Sequence, residues 1–189
     1  MRYDLEVVPG VGRLLEHCSG LCPSAAWEQV AALDFAGDLD YLKRWLRDLL
    51  ETETPEENIV AFWFGIFDDG GPGEAPFARL YLAGSESYDP EDKTSEWACS
   101  PVYFPDGRYA DSQVLRSMST MLGTAGEGAS WLGSYVLPLG YASLAVAAMC
   151  RQLPRDLLLG RRPAGAVAVG FDSGDSITLP AISRQDTPV

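Results

Sequence analysis

Ile59-Val60-Ala61-Phe62-Trp63-Phe64-Gly65-Ile66-Phe67 decides how this chain folds. Nine residues, rich in aromatic and branched side chains and without a charge, would be apolar on both faces of an extended strand, which marks the centre of a sheet. Asp68-Asp-Gly-Gly-Pro-Gly73 follows and is dense in turn formers, and Phe77 to Gly84 then reads as a second strand. The simplest connection is a hairpin with a long loop.

Upstream, the pattern is helical. Val11, Leu14, Leu15 and Cys18 have the spacing of one helix face, entered by Pro9-Gly10 and ended by Gly20. Ser24 is placed to cap a second helix with Trp27, Val30 and Ala31 inward. Gly37-Asp38 precedes the clearest amphipathic run, Leu39, Leu42, Trp45, Leu46, Leu49 and Leu50. Downstream, Asp111 or Ser112 caps a helix carrying Val114, Leu115, Met118, Met121 and Leu122. Trp131 to Pro138 reads as a strand and Gly140 to Leu153 as a buried helix. Gly165 to Phe171 and Ser176 to Ile182 flank Asp172-Ser-Gly-Asp175 as a short hairpin. The expectation is a single α+β domain over residues 1–182, N-terminal helices packed on a mostly antiparallel sheet, with a flexible tail from Ser183 to Val189. A chain of 189 residues with 47% hydrophobic content can hold such a core without cross-links.

Charge is unevenly spread. Glu51 to Trp97 contains twelve of the 27 acidic residues and only Arg79 and Lys93 against them, in a chain of net charge −13. A field of that sign opposes nucleic-acid phosphates and favours a basic partner. Ser85 to Arg108 loses periodicity but interleaves acids with Tyr88, Trp97, Tyr103 and Phe104, and a long irregular excursion in a small domain tends to be functional.

Catalytic patterns are not evident. The single histidine, His17, stands next to Cys18 in a helical pattern with no orienting acid, and no Gly-x-Ser-x-Gly elbow or phosphate-binding loop occurs. Cys18 and Cys22 have neither redox nor zinc spacing, so the four cysteines are expected as free thiols in a reducing cytoplasm. Asp172 and Asp175 fit a turn better than a calcium loop. No metal and no cofactor is expected. The N-terminus does not read as a signal peptide, because two acids fall where its apolar part would lie. Gly128 to Cys150 is uncharged and long enough to span a bilayer, but a strand followed by a buried helix accounts for it.

Four segments carry a resemblance: Ala61-Phe-Trp-Phe-Gly-Ile-Phe67, Ser87-Tyr-Asp-Pro-Glu-Asp92, Phe104-Pro-Asp-Gly-Arg-Tyr-Ala-Asp111 and Val167-Ala-Val-Gly-Phe-Asp-Ser-Gly-Asp175. Together they resemble bacterial immunity-type proteins, the acidic partners of secreted antibacterial toxins, including nuclease toxins delivered by type VI secretion. The resemblance implies a cytoplasmic protein that neutralises a cognate toxin by contact. It brings no catalytic residues. From charge and aromatic placement, the expected partner surface is Asp68, Asp69, Glu74, Glu86, Tyr88, Asp89, Glu91, Asp92, Trp97 and Tyr103, the acids steering a basic toxin and the rings anchoring it. The alternatives are an enzyme using loop carboxylates or an acidic adaptor.

Overall fold

A computed structural model describes residues 6–70, 77–92, 95–123, 125–172 and 174–184. Its first three helices are α1 (Val7–Leu21), α2 (Ala26–Ala31) and α3 (Phe35–Thr52), and the first two strands are β1 (Ala61–Asp69) and β2 (Phe77–Ser85). A single 3-10 turn (Glu96–Cys99) and the short β3 (Tyr109–Ala110) lead to α4 (Gln113–Leu122). One continuous helix runs over Glu127–Gln152, composed of α5 (Glu127–Trp131), a π turn (Leu132–Val136) and α6 (Leu137–Gln152). The chain ends with α7 (Arg155–Leu159), β4 (Ala164–Phe171) and β5 (Ser176–Ser183).

The sheet order is β3-β2-β1-β4-β5, with β1 in the centre as its doubly apolar sequence dictates. All neighbours are antiparallel except β1 and β4, which pair in parallel from Ala61↔Ala166 to Ile66↔Phe171. This is a single α+β domain with a mostly antiparallel sheet. Strand alternation divides the sheet side chains between two clusters. Phe62, Phe64, Ile66, Leu80, Leu82, Val167 and Val169 join the helices in the main core, whereas Trp63, Ala166 and Ala168 face the other way and meet Trp97.

Helices α4 and α6 lie against the sheet, and α1 and α3 pack onto α6. The α1–α6 crossing is close because each helix offers a glycine to the other: a Cβ on Gly10 would stand 2.7 Å from Leu144, and one on Gly140 would stand 2.6 Å from Leu14. Over Glu127–Gln152 the helix is long and apolar enough to cross a membrane, but 61% of its most apolar window is buried within the fold. That is the coverage of a core helix.

Four sequence expectations are corrected. The stretch from Trp131 to Pro138 is helical. Pro138 has no N–H to offer the turn before it and would press on a carbonyl in α geometry. The π turn just upstream, where Leu137 N–H bonds to Leu132 O, opens the backbone and lets the helix continue through it. Helix α3 begins earlier than Gly37-Asp38, because Asp34 caps it by accepting from Gly37 N at 2.9 Å. Ala31 is exposed while Trp27 and Val30 are buried. At the other end, Ser183 closes β5 and Arg184 donates to the Gly160 and Arg162 carbonyls, so the expected tail does not begin at Ser183; residues 185–189 lie outside the described residues.

Asp38, released from the capping role, is buried inside α3. Its carboxylate accepts from Ser112 Oγ at 2.6 Å, Gln113 N at 2.8 Å, Val114 N at 3.4 Å and Tyr141 Oη at 2.6 Å. It therefore satisfies free N–H groups at the start of α4 from a different helix, beside the Ser112 side chain that caps Leu115 N at 3.1 Å.

Burial, reinforced by the Asp38 carboxylate, raises the Tyr141 phenol far above its ordinary range, and burial pushes the Cys150 thiol up to about 12. Both are raised relative to the unfolded chain, so their stabilising contribution is whole below the ordinary values of 10.0 and 9.0 and is lost as pH climbs past them. Stability is expected to be insensitive to these groups at neutral pH and to fall from about pH 9 upward. The slope should approach ~1.4 kcal/mol per pH unit for each group while pH lies between its two values. Urea midpoints at pH 8, 10 and 11 check this, and a flat profile would contradict it.

Candidate acidic and aromatic face

The outer face of the sheet is partly roofed by the chain between β2 and β3. Ser85 ends β2 opposite Ala61, the first residue of β1, and the chain then turns back across the face. Ser95, left-handed with φ of 57°, shares a hydrogen bond of 2.9 Å with Ser176 Oγ of β5. Trp97 lands edge-on to Trp63 at 6.2 Å, and Tyr88 lands edge-on to Trp97 at 5.5 Å.

Between this segment and solvent lies a hollow of about 530 Å³, lined by Ser87, Tyr88, Asp89, Asp92, Glu96 and Trp97. Three of its six lining residues are carboxylates and two are aromatic. Asp89 and Glu96 are exposed, and the Asp89 carboxylate also fixes the local turn by accepting from Glu91 N at 2.9 Å. Glu91 and Glu86 are exposed nearby in the chain, Glu86 accepting from Asn58 Nδ2 at 3.4 Å.

The expected partner residues do not form one surface. Asp68 and Asp69 stand at the far end of β1, opposite Ala78 and Phe77, roughly 25 Å along the strand from the end that leads into Glu86. Asp69 pairs with Arg79 at 2.8 Å, and Arg79 reaches Asp111 at the same distance. Glu74 lies outside the described residues. Tyr103 does not join the hollow: its hydroxyl donates to Glu53 O at 2.6 Å, and its backbone bridges Gly84. Glu53 completes that clamp by accepting from Asp106 N and Gly107 N at 2.6 and 2.8 Å. Trp97 is 7% exposed, so it forms a floor and not a projecting anchor. Tyr88, Asp89, Asp92 and Trp97 are the expected residues that the fold does gather.

Glu96 and Ser87 are members that sequence reasoning missed; they are ordinary polar residues, nine positions apart, until the fold brings them to one hollow. Also missed is an aromatic seam along the same face. From Trp97 and Trp63 it continues to Tyr81, whose hydroxyl accepts from Trp63 Nε1 at 3.2 Å and donates to Asp172 Oδ1 at 2.5 Å. Beyond Tyr81 stand Phe67, Tyr109 and Phe104. Burial, followed by the Asp172 interaction, raises the Tyr81 phenol well above its ordinary range and keeps it a donor. The period-2 spacing of Trp63, Gly65 and Phe67 is the signal that could have placed these residues on one face.

Among the described residues, no group of three or more His, Cys, Asp or Glu converges as a metal site, and Cys18 and Cys150 are buried free thiols. Comparison with protein-family models, curated proteins and solved structures finds no match.

Proposed function

We propose that this chain is a protein inhibitor of the immunity type, which neutralises a cognate antibacterial toxin in the cytoplasm by binding a basic surface of that toxin. The observation that carries the reading is the hollow that Asp89, Asp92 and Glu96 line together with Tyr88 and Trp97. Carboxylates on an open surface accelerate encounter with a basic protein, and aromatic walls give an inserted arginine or lysine both apolar contact and a cation–π partner. The arrangement suits a docked cationic side chain. Asp89 and Glu96 are exposed, without the burial that sets one carboxylate apart as a proton donor in acid–base catalysis.

Co-expression with a candidate cognate toxin tests this directly. Protection is expected with the native chain. Charge reversal at Asp89, Glu91 and Asp92 together, each to lysine, is expected to slow association by on the order of 10- to 1,000-fold at low salt and to abolish protection. Unchanged protection and association in that variant would remove this face from the interface and the proposal with it.

A further inference from the structure

At the far end of the seam lies a second, smaller cavity of about 110 Å³, walled by Phe67, Tyr81, Phe104, Tyr109 and Asp172. Its rings do not stack. Phe67 and Tyr81 are inclined by 70° with centroids 5.8 Å apart, Phe67 and Tyr109 by 54° at 5.4 Å, Tyr81 and Phe104 by 68° at 6.3 Å, and Tyr81 and Tyr109 by 58° at 6.2 Å. Three walls are set by the sheet: Phe67 on β1, Tyr81 on β2 and Tyr109 directly across from Tyr81 on β3. Phe104 and Tyr109 remain 49% and 37% exposed, so the cavity opens to solvent.

We infer that this cavity binds a quaternary ammonium group, such as the trimethylammonium head of a choline-type compound. Aromatic faces carry negative potential, and mutually inclined rings around a common space create an enclosure that favours a cation. A carboxylate in the wall adds to that preference. A cation bearing N–H groups would need several acceptors on desolvation, but Asp172 is the charged lining residue and one of its oxygens already accepts from Tyr81 at 2.5 Å. Methyl groups make no such demand. The volume lies well below the roughly 300–1,000 Å³ of sites for drug-sized ligands, so a head group enters and the remainder of the ligand stays outside.

Two arginines bear on the electrostatics. Arg108 lies over Phe104 at 4.1 Å and Tyr109 at 4.6 Å, and Arg79 lies over Tyr109 at 5.1 Å. The rings thus already serve as cation acceptors within the fold. Asp69 and Asp111 neutralise Arg79, and with Asp172 the carboxylates outnumber the guanidiniums three to two.

The test is titration of the full chain with choline, followed by heteronuclear NMR or calorimetry, against 3,3-dimethyl-1-butanol, which has the same shape without the charge. Choline is expected to saturate with a Kd on the order of millimolar and to bind at least about fivefold more tightly than the neutral analogue. Tyr109→Ala is expected to weaken choline roughly fivefold to thirtyfold. Phe104→Leu keeps apolar bulk at an exposed position and should weaken it similarly, which guards against a folding defect in the first variant. Asp89→Lys, in the hollow proposed to contact the toxin, should leave choline binding unchanged. Failure to saturate, equal binding of the neutral analogue, or full affinity in both ring variants would overturn the inference; loss of toxin protection would not.

Discussion

Asp38→Ala is expected to lower stability by about 3–5 kcal/mol, because it strips a buried network of its common acceptor. Ser112, Gln113, Val114 and Tyr141 all donate to that carboxylate, and Asp38 itself is 7% exposed. The loss has two parts. Backbone N–H groups in the first turn of α4 become unsatisfied, and the Tyr141 hydroxyl, on a side chain with 0% exposure, is left without its acceptor. In a domain of this length that corresponds to a fall in Tm of about 6–20 °C. Tyr141→Phe removes one donor together with the need to satisfy it, so it should cost only about 1–2 kcal/mol. The double variant should cost less than the sum, since the two share one hydrogen bond. A loss below 1 kcal/mol in Asp38→Ala would show that α4 does not depend on the carboxylate beneath it.

Gly65→Ala is expected to damage stability and the outer face together. Gly65 pairs with Tyr81 on one side and Gly170 on the other, and the Tyr81 ring lies so flat across it that a Cβ would fall 2.1 Å from Cε1 and 2.2 Å from Cζ. The ring must lift. When it does, the bond to Asp172 and the acceptor for Trp63 Nε1 are lost, in addition to the overpacking itself. Destabilisation of about 2–3 kcal/mol is expected, with a changed near-ultraviolet circular dichroism signal from Trp63 and weaker choline binding. Native stability and an unchanged aromatic spectrum would mean that the ring does not rest where the structure puts it.

How far the sequence could be read depended on whether a property was local. β1 announced itself because nine adjacent residues were apolar, and the hairpin of β4 and β5 because turn residues separated two alternating runs. The helix through Pro138 was misread because the residues that break regular helices are the ones a π turn accommodates. Asp38 was misplaced because the four groups it binds lie 74 or more positions away along the chain. Similarly, the acids looked like one patch in the sequence, yet a nine-residue strand carries Asp68 and Asp69 away from Asp89. Charge density was legible; convergence was not.

The parallel seam between β1 and β4 dictates an order of events during synthesis. β1 and β2 can zip as a hairpin as soon as Ser85 has emerged, but the opposite edge of β1 must wait until Ala164 and its successors arrive. At typical translation speeds that delay is about 4–16 s. Throughout it, a strand as apolar as Phe62-Trp-Phe-Gly-Ile presents unpaired amides to whatever is nearby. The open edge of β1 is therefore the part of the nascent chain most exposed to mispairing during that interval.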